Sequence, residues 1–342
     1  MPKKTNIHFL DNILNSLFQL YRNDLFSIIA VAYFICTWMT FGNIISILYT
    51  SKIIIFTHKI NVLYLIFYIL PIILVILSLY KELSNHTSFY VKIVVIFNLL
   101  LFMTFAYAPP RNADSMRVWL AKVNDIIMNG EKIIRPYAHY NTPDAFTLYH
   151  LPVIQIGDGQ LFQLSILACF SSILIILIKI SQSYNNIIFV NLCLLLFVFN
   201  PFITLGATVI ITDMPVILSF AGMIYSMIYY NKGNKSHAII LVFLFLAFGL
   251  NIKYNTLMIL PAFFYWILTN IKIKDIKNFR IVVFFSIAFA LLNSIYPYLL
   301  NYIQIGNPVW PALNHIFTSH IPEFAVTAKN FTANFLHNEK TI

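Results

Sequence analysis

Charge is scarce in this chain: Asp, Glu, Lys and Arg together make up 10% of 342 residues, and twelve of these are acidic. The hydrophobic share is 60% and the mean hydropathy +0.79, far from the composition of soluble domains. A soluble enzyme is thereby excluded. The formal charge of +10 would suggest nucleic acid in a soluble protein, but the basic residues sit mostly in short connections between apolar runs, the positive-inside signature of membrane topology; no nucleic-acid partner is expected. Cysteine is equally sparse, and Cys36, Cys169 and Cys193 all fall within apolar runs, so neither a disulfide framework nor a zinc site is expected. Also missing are a Gly-x-Ser-x-Gly elbow, a phosphate-cradling glycine loop and any His/Cys/carboxylate set with metal-ligand spacing. The sequon Asn330-Phe331-Thr332 is too common by chance to argue from.

What is present is a succession of apolar runs long enough to cross a bilayer, about 17 to 25 residues each. The pattern predicts an all-α polytopic membrane protein with about nine transmembrane helices, near 25–49, 61–80, 90–108, 161–180, 187–200, 215–230, 237–251, 255–269 and 281–300. Breaks at Asn200-Pro201 and around Asn251, Lys253 and Asn255 suggest interrupted helices of the kind that line cavities. Residues 1–24, with Phe9, Leu10, Ile13, Leu14, Leu17, Phe18 and Tyr21 at helical spacing, read as a cytoplasmic interfacial amphipathic helix. The first apolar run lacks a small-residue cleavage site and reads as a retained anchor. Residues 25–300 form one transmembrane domain, and 301–342 an outer-face C-terminal segment.

With the N-terminus inside, Lys81, Lys179, Lys232, Lys235, Lys272, Lys274, Lys277 and Arg280 fall in cytoplasmic connections, against Lys52, Lys59 and Lys253 outside. This asymmetry places the polar insert 109–160, Asp213, Lys253 and the tail on the outer face. The insert gathers five of the twelve acidic residues. Within it, Trp119, Leu120, Val123, Ile126 and Ile127 predict a short helix along the outer surface, ended by Asn129-Gly130.

Each polar residue has an ordinary reading beside a chemical one. Asp114 fits a helix N-cap or a general base facing an outer cavity. Asp213, before Met214-Pro215, fits a helix start or a substrate-orienting group. Lys253 fits a snorkelling lysine or a phosphate ligand. Arg117, Lys122, Lys132 and Arg135 fit solvated charges or an anion clamp. His150, in Tyr149-His150-Leu151-Pro152, fits an interfacial hydrogen-bonding residue or an acid, base or ligand.

The order of these pieces resembles the GT-C superfamily of integral membrane glycosyltransferases, in the branch of the protein O-mannosyltransferases and lipid A aminoarabinose transferases. Asp114-Ser115-Met116-Arg117-Val118-Trp119 is similar to the first outer-loop motif, with Ser115 where a Glu often follows the Asp. Thr142-Pro143-Asp144 with Tyr149-His150-Leu151-Pro152 and Gly157 resembles the stretch leading into the next span. Thr212-Asp213-Met214-Pro215 resembles a later helix start, Gly249-Leu250-Asn251-Ile252-Lys253-Tyr254 the Gly/Leu-rich run ending in Lys-Tyr, and Gly306-Asn307-Pro308 a turn of some bacterial members. The resemblance covers about residues 90–315; many members extend further, so the chain reads as a minimal or truncated version.

The resemblance implies transfer of a sugar from a polyprenyl-phosphate donor to a protein, lipid or glycan acceptor at the extracytoplasmic face of a membrane, which in a bacterium would be the plasma (inner) membrane. It implies Asp114 as the catalytic residue, deprotonating the acceptor hydroxyl or otherwise orienting it, and an inverted product. Lys253, Arg117, Lys122 and Arg135 would bind the donor phosphate. Asp144, Tyr149, His150, Asp213, Tyr254 and Asn307 would contact substrate. No cofactor is expected; a divalent metal would require Asp114, Asp144 and Asp213 to converge. Two rivals remain, a lipid or glycan flippase and a polysaccharide polymerase or ligase that would shift the site towards Arg117 and Arg135.

Overall fold

The structure, a computed structural model, describes residues 25–50, 58–107, 121–129, 145–155, 160–184, 186–208, 212–233, 235–271, 279–310, 313, 315–324 and 327. All secondary structure among them is helical: α1 (Phe26–Thr50), α2 (His58–His86), α3 (Phe89–Tyr107), α4 (Ala121–Asn129), α5 (Ala145–Leu148), α6 (Leu151–Ile154), α7 (Gln160–Gln182), α8 (Ile187–Val198), α9 (Pro201–Thr208), α10 (Asp213–Asn231), α11 (Lys235–Ile252), a 3-10 segment (Tyr254–Ile259), α12 (Leu260–Asn270) and α13 (Arg280–Ile305). The interfacial helix expected over 1–24 lies outside the described residues.

Five of the described helices are long and apolar enough to cross a membrane, namely α1, α2, α7, α11 and α13, and six if the bent pair α8–α9 counts as one span. The 62° bend of that pair falls at Asn200-Pro201, as the sequence predicts. Proline has no N–H to continue the ladder, and Asn200 Oδ1 instead accepts from the backbone N–H groups of Phe202 and Ile203.

Helix α7 is the axis of the bundle, with 83% of its apolar window buried. Helices α2, α3, α8 and α10 pack around it, and α10 pairs closely with α11, which in turn meets α13. The α10–α11 contact relies on a small residue: a Cβ at Gly222 would fall 2.2 Å from the Phe245 ring. Close backbone approach through glycine is how helices associate where lipid removes the hydrophobic drive. Peripheral helices are apolar on their outer faces too, α13 exposing Ile281, Phe284, Phe285, Leu292 and Ile303. Several hydroxyls within the helices are satisfied locally, as in Thr37 to Tyr33 O, Ser226 to Gly222 O and Ser294 to Ala290 O, because no solvent is available in hydrocarbon, whereas those of Ser46, Ser171 and Ser172 are buried without a protein partner.

Three of the lysines assigned to cytoplasmic connections lie within helices: Lys235 opens α11, and Lys81 and the side chain of Lys179 are in addition buried. Helix α2 runs six residues past its expected end, to His86, and Lys81 is only 8% exposed; Lys179 lies within α7, its side chain also 8% exposed. For Lys179 the reason is an acidic partner on α2, whereas Lys81 Nζ lies over the Phe26 ring, 5.8 Å from its centroid. Glu82, 1% exposed, accepts from Ser27 Oγ at 2.6 Å, Lys179 Nζ at 2.8 Å and Gln182 Nε2 at 3.3 Å, with His86 Nε2 at 3.6 Å. This hub ties the start of α1 to the ends of α2 and α7, so one end of the bundle carries a buried ionic network.

Candidate functional site

At the opposite end, the break after α11 brings together two residues forty positions apart. Helix α11 stops at Ile252, and Lys253 is extended, with φ −155° and ψ 134°. The turn is held by Gly249, whose carbonyl accepts from Lys253 N–H at 3.0 Å and Thr256 Oγ1 at 2.9 Å. There is no room for a larger residue: a Cβ at Gly249 would lie 2.3 Å from Ser219 Oγ and 2.5 Å from Thr256 Cγ2. The extended residue thereby presents Lys253 Nζ to Asp213 Oδ1 at 3.1 Å, with the lysine side chain 24% and the aspartate 61% exposed. Asp213 occupies the first helical turn of α10 rather than the cap, which is Thr212 and makes no side-chain capping bond. Tyr254 stands next to Lys253, half-buried.

Beside Lys253 in sequence, Asn251 is fully buried and neither its Oδ1 nor its Nδ2 has a protein partner. Tyr298 on α13 donates to the neighbouring Leu250 carbonyl at 2.8 Å, locking the broken segment against the last helix. A buried amide of this kind needs water or a bound polar group.

The closing part of the polar insert is not a surface loop. Residues 146–153 are all buried, and α5 packs against α1 and α11 while α6 packs against α2 and α7. The composition explains it, since Phe146, Leu148, Tyr149, Leu151 and Val153 outnumber the polar residues between them. Tyr149 stacks on Trp38 at 5.2 Å and meets the Tyr68 ring at 5.0 Å with a 31° tilt, and its carbonyl accepts from Tyr64 Oη at 2.6 Å. The hydroxyls of Thr147 and Tyr149 are buried without a protein partner. His150 is held at both nitrogens, Nδ1 at 2.6 Å from Phe146 O and Nε2 at 2.6 Å from Ser165 Oγ, and stacks on Phe162 at 3.6 Å. A carbonyl can only accept, so Nδ1 carries the proton, while the one hydroxyl hydrogen of Ser165 is within reach of both Nε2 and Phe162 O, the latter at 2.8 Å. Burial pushes the His150 pKa well below its ordinary 6.5, and this connecting residue outside the apolar spans is a neutral peg.

Lys122 lies on α4, which packs on α5 and α6 and has an exposed face at Asn124, Met128 and Asn129; the lysine itself, read as a solvated charge or anion clamp, is turned to the inner face and is 1% exposed. Its buried companions Val123 and Ile126 set the inward face. Asn307 is buried, and its Oδ1 accepts from Val309 N–H at 3.0 Å, building the turn that follows the left-handed Gly306 (φ 87°). Beyond it the tail folds back, Ser319 Oγ and His320 N–H donating to Ile305 O and Trp310 Nε1 to Phe324 O. Asp114, Arg117, Arg135 and Asp144 lie outside the described residues. Among those described, no three His, Cys, Asp or Glu side chains converge as a metal site.

Thus the structure pairs Asp213 with Lys253, places Tyr149 and His150 inside the bundle and Asn307 in a turn. The Glu82 hub is the polar cluster that sequence reasoning missed. A charge four residues from His86 and one from Lys81 inside an apolar helix was its signal. Compared with known proteins, the chain matches no family, no curated protein and no solved structure.

Proposed function

We propose that the chain is an integral membrane glycosyltransferase that moves a sugar from a polyprenyl-phosphate donor to an acceptor at the extracytoplasmic face. The observation that carries this reading is the Lys253–Asp213 pair. Two pieces of the resemblance, Thr212-Asp213-Met214-Pro215 and Gly249 to Tyr254, meet at 3.1 Å although the chain separates them by a whole helical hairpin. An ion pair this exposed is worth only about 0–1 kcal/mol, so fold stability is a weak reason for a chain so poor in charge to keep it. In this reading nine spans cross the bilayer, with α3, the α8–α9 pair, α10 and the 3-10/α12 segment joining the five long helices.

The acceptor hydroxyl attacks the anomeric carbon, its proton passes to Asp114, and the bond from that carbon to the phosphate oxygen breaks with inversion. The leaving polyprenyl phosphate departs as a stabilised anion, so a cation replaces a general acid. Lys253, partly exposed and oriented by Asp213, supplies that cation, with Arg117, Lys122 and Arg135 as further donors to the phosphate. Asn251 and the Thr147 and Tyr149 hydroxyls offer polar groups towards a sugar. A lipid tail that stays in the bilayer removes the need for a nucleotide-binding domain, and no metal is required.

The pair is tested by comparing Lys253→Ala and Asp213→Asn in purified protein reconstituted in lipid. Lys253→Ala is expected to lower turnover by about 10²–10³-fold, the loss typical of one transition-state charge stabiliser, while both variants keep the wild-type melting temperature. Turnover unchanged in Lys253→Ala would remove the lysine from the site.

A further inference from the structure

The other end of the bundle holds a second polar site. A cavity of about 630 Å³ opens between the start of α1 and the ends of α2, α7 and α10, with His86, Lys179, Gln182, Tyr229 and Lys232 on its wall. Among the described residues no carboxylate lines it. The nearby acid, Glu82, is 1% exposed and sits behind the wall, where it engages Lys179, His86 and Gln182 at 2.8, 3.6 and 3.3 Å and thus fixes the groups that border the cavity. The side chain of Lys179 is 8% exposed, a buried cation at the cavity wall. Lys232 adds a second cation at the end of α10, with no carboxylate partner among the described residues. Ile187 and Val190 continue the wall as an apolar strip along α8.

From this geometry we infer a phosphoryl-binding site, independent of the sugar-transfer reading, that takes the phosphodiester headgroup of an anionic lipid. Such a wall suits a phosphate, whose oxygens can accept from Lys232 Nζ and from the N–H groups that Lys179 and Gln182 do not already give to Glu82. The strip of Ile187 and Val190 suits an acyl chain leaving the headgroup along α8. Lys232 at the end of α10 and Lys235 at the start of α11 mark the positive-inside end, where a negatively charged leaflet supplies such headgroups.

Native mass spectrometry of the full chain, released from nanodiscs containing phosphatidylglycerol and phosphatidylcholine in equal parts, tests this, with glycerol phosphate as a soluble competitor. Retention of phosphatidylglycerol over phosphatidylcholine, reduced about fivefold in Lys232→Gln, is expected, from the contribution of one lysine near an anionic headgroup. The double variant Glu82→Gln/Lys179→Gln removes both buried charges together and is expected to weaken retention similarly without an orphaned ion. If glycerol phosphate binds, is weakened by Lys232→Gln and displaces the lipid, the phosphoryl chemistry stands and the ligand is soluble. Equal retention of both lipids with no glycerol phosphate bound, or wild-type binding in both variants, overturns the site.

Discussion

Glu82 shows what a single buried carboxylate does in a bundle of this composition. Its two oxygens serve Ser27, Lys179, Gln182 and His86, so removing its charge strands a lysine whose side chain is 8% exposed. Glu82→Gln is expected to destabilise by about 3–5 kcal/mol, the cost of breaking a buried pair from one side, while Glu82→Gln/Lys179→Gln recovers most of it. Thermal unfolding in detergent with a double-mutant cycle measures this, and additive losses would show that the two charges do not act as a pair. His150 makes a second prediction at this scale. Its folded pKa is depressed by burial, so below about pH 6.5 the unfolded chain takes up a proton that the folded chain refuses. Stability therefore falls as pH drops from 6.5 towards the folded pKa, by up to about 1.4 kcal/mol per unit. His150→Gln should flatten that slope; an identical slope in the variant would place the titrating group elsewhere.

Among the elements, α11 and its break carry the site. Gly249 has no space for a Cβ between Ser219 and Thr256. Gly249→Ala is expected to cost about 1–3 kcal/mol by overpacking and to move Lys253 away from Asp213, which would register as lost turnover beyond that of an equally destabilised variant remote from the break. Much at this scale was legible in the sequence. Apolar run lengths marked the helices, Asn200-Pro201 marked the bend of α8 into α9, and Asn251 to Asn255 marked the interruption after α11. The burial of α5 and α6 was not legible, because Thr147, His150 and the flanking Asp144 made the segment look water-compatible. Which face of Phe146 to Val153 turns inward is settled only by Trp38, Tyr64, Tyr68 and Ser165, far away in the chain. The inward turn of Lys122 was hidden for the same reason, since α4 meets α5 and α6 only in the folded bundle.

For the whole molecule, the helices sort polar chemistry to two ends. Ser165 and Lys179 on α7 are separated by about 20 Å at 1.5 Å per residue, most of the roughly 30 Å hydrocarbon thickness. One end holds the Glu82 hub and the cation-lined cavity. The other holds Lys253, Asp213 and the buried end of the polar insert. Composition and lysine placement made the membrane class and the two-ended polarity readable. They could not show that Lys179 lies within a helix with its side chain buried, because a lysine near a run end reads as a loop charge until its carboxylate is found on another helix.

The most direct measurement is sugar transfer or release from radiolabelled polyprenyl-phosphate-sugar donors by the purified chain in lipid, with Asp114→Asn alongside. Turnover by the wild type, lowered about 10²–10⁴-fold by the loss of the base while donor binding is retained, is the expected result. A wild type that consumes no donor yet carries labelled lipid across the bilayer would contradict the transferase reading and make the chain a flippase.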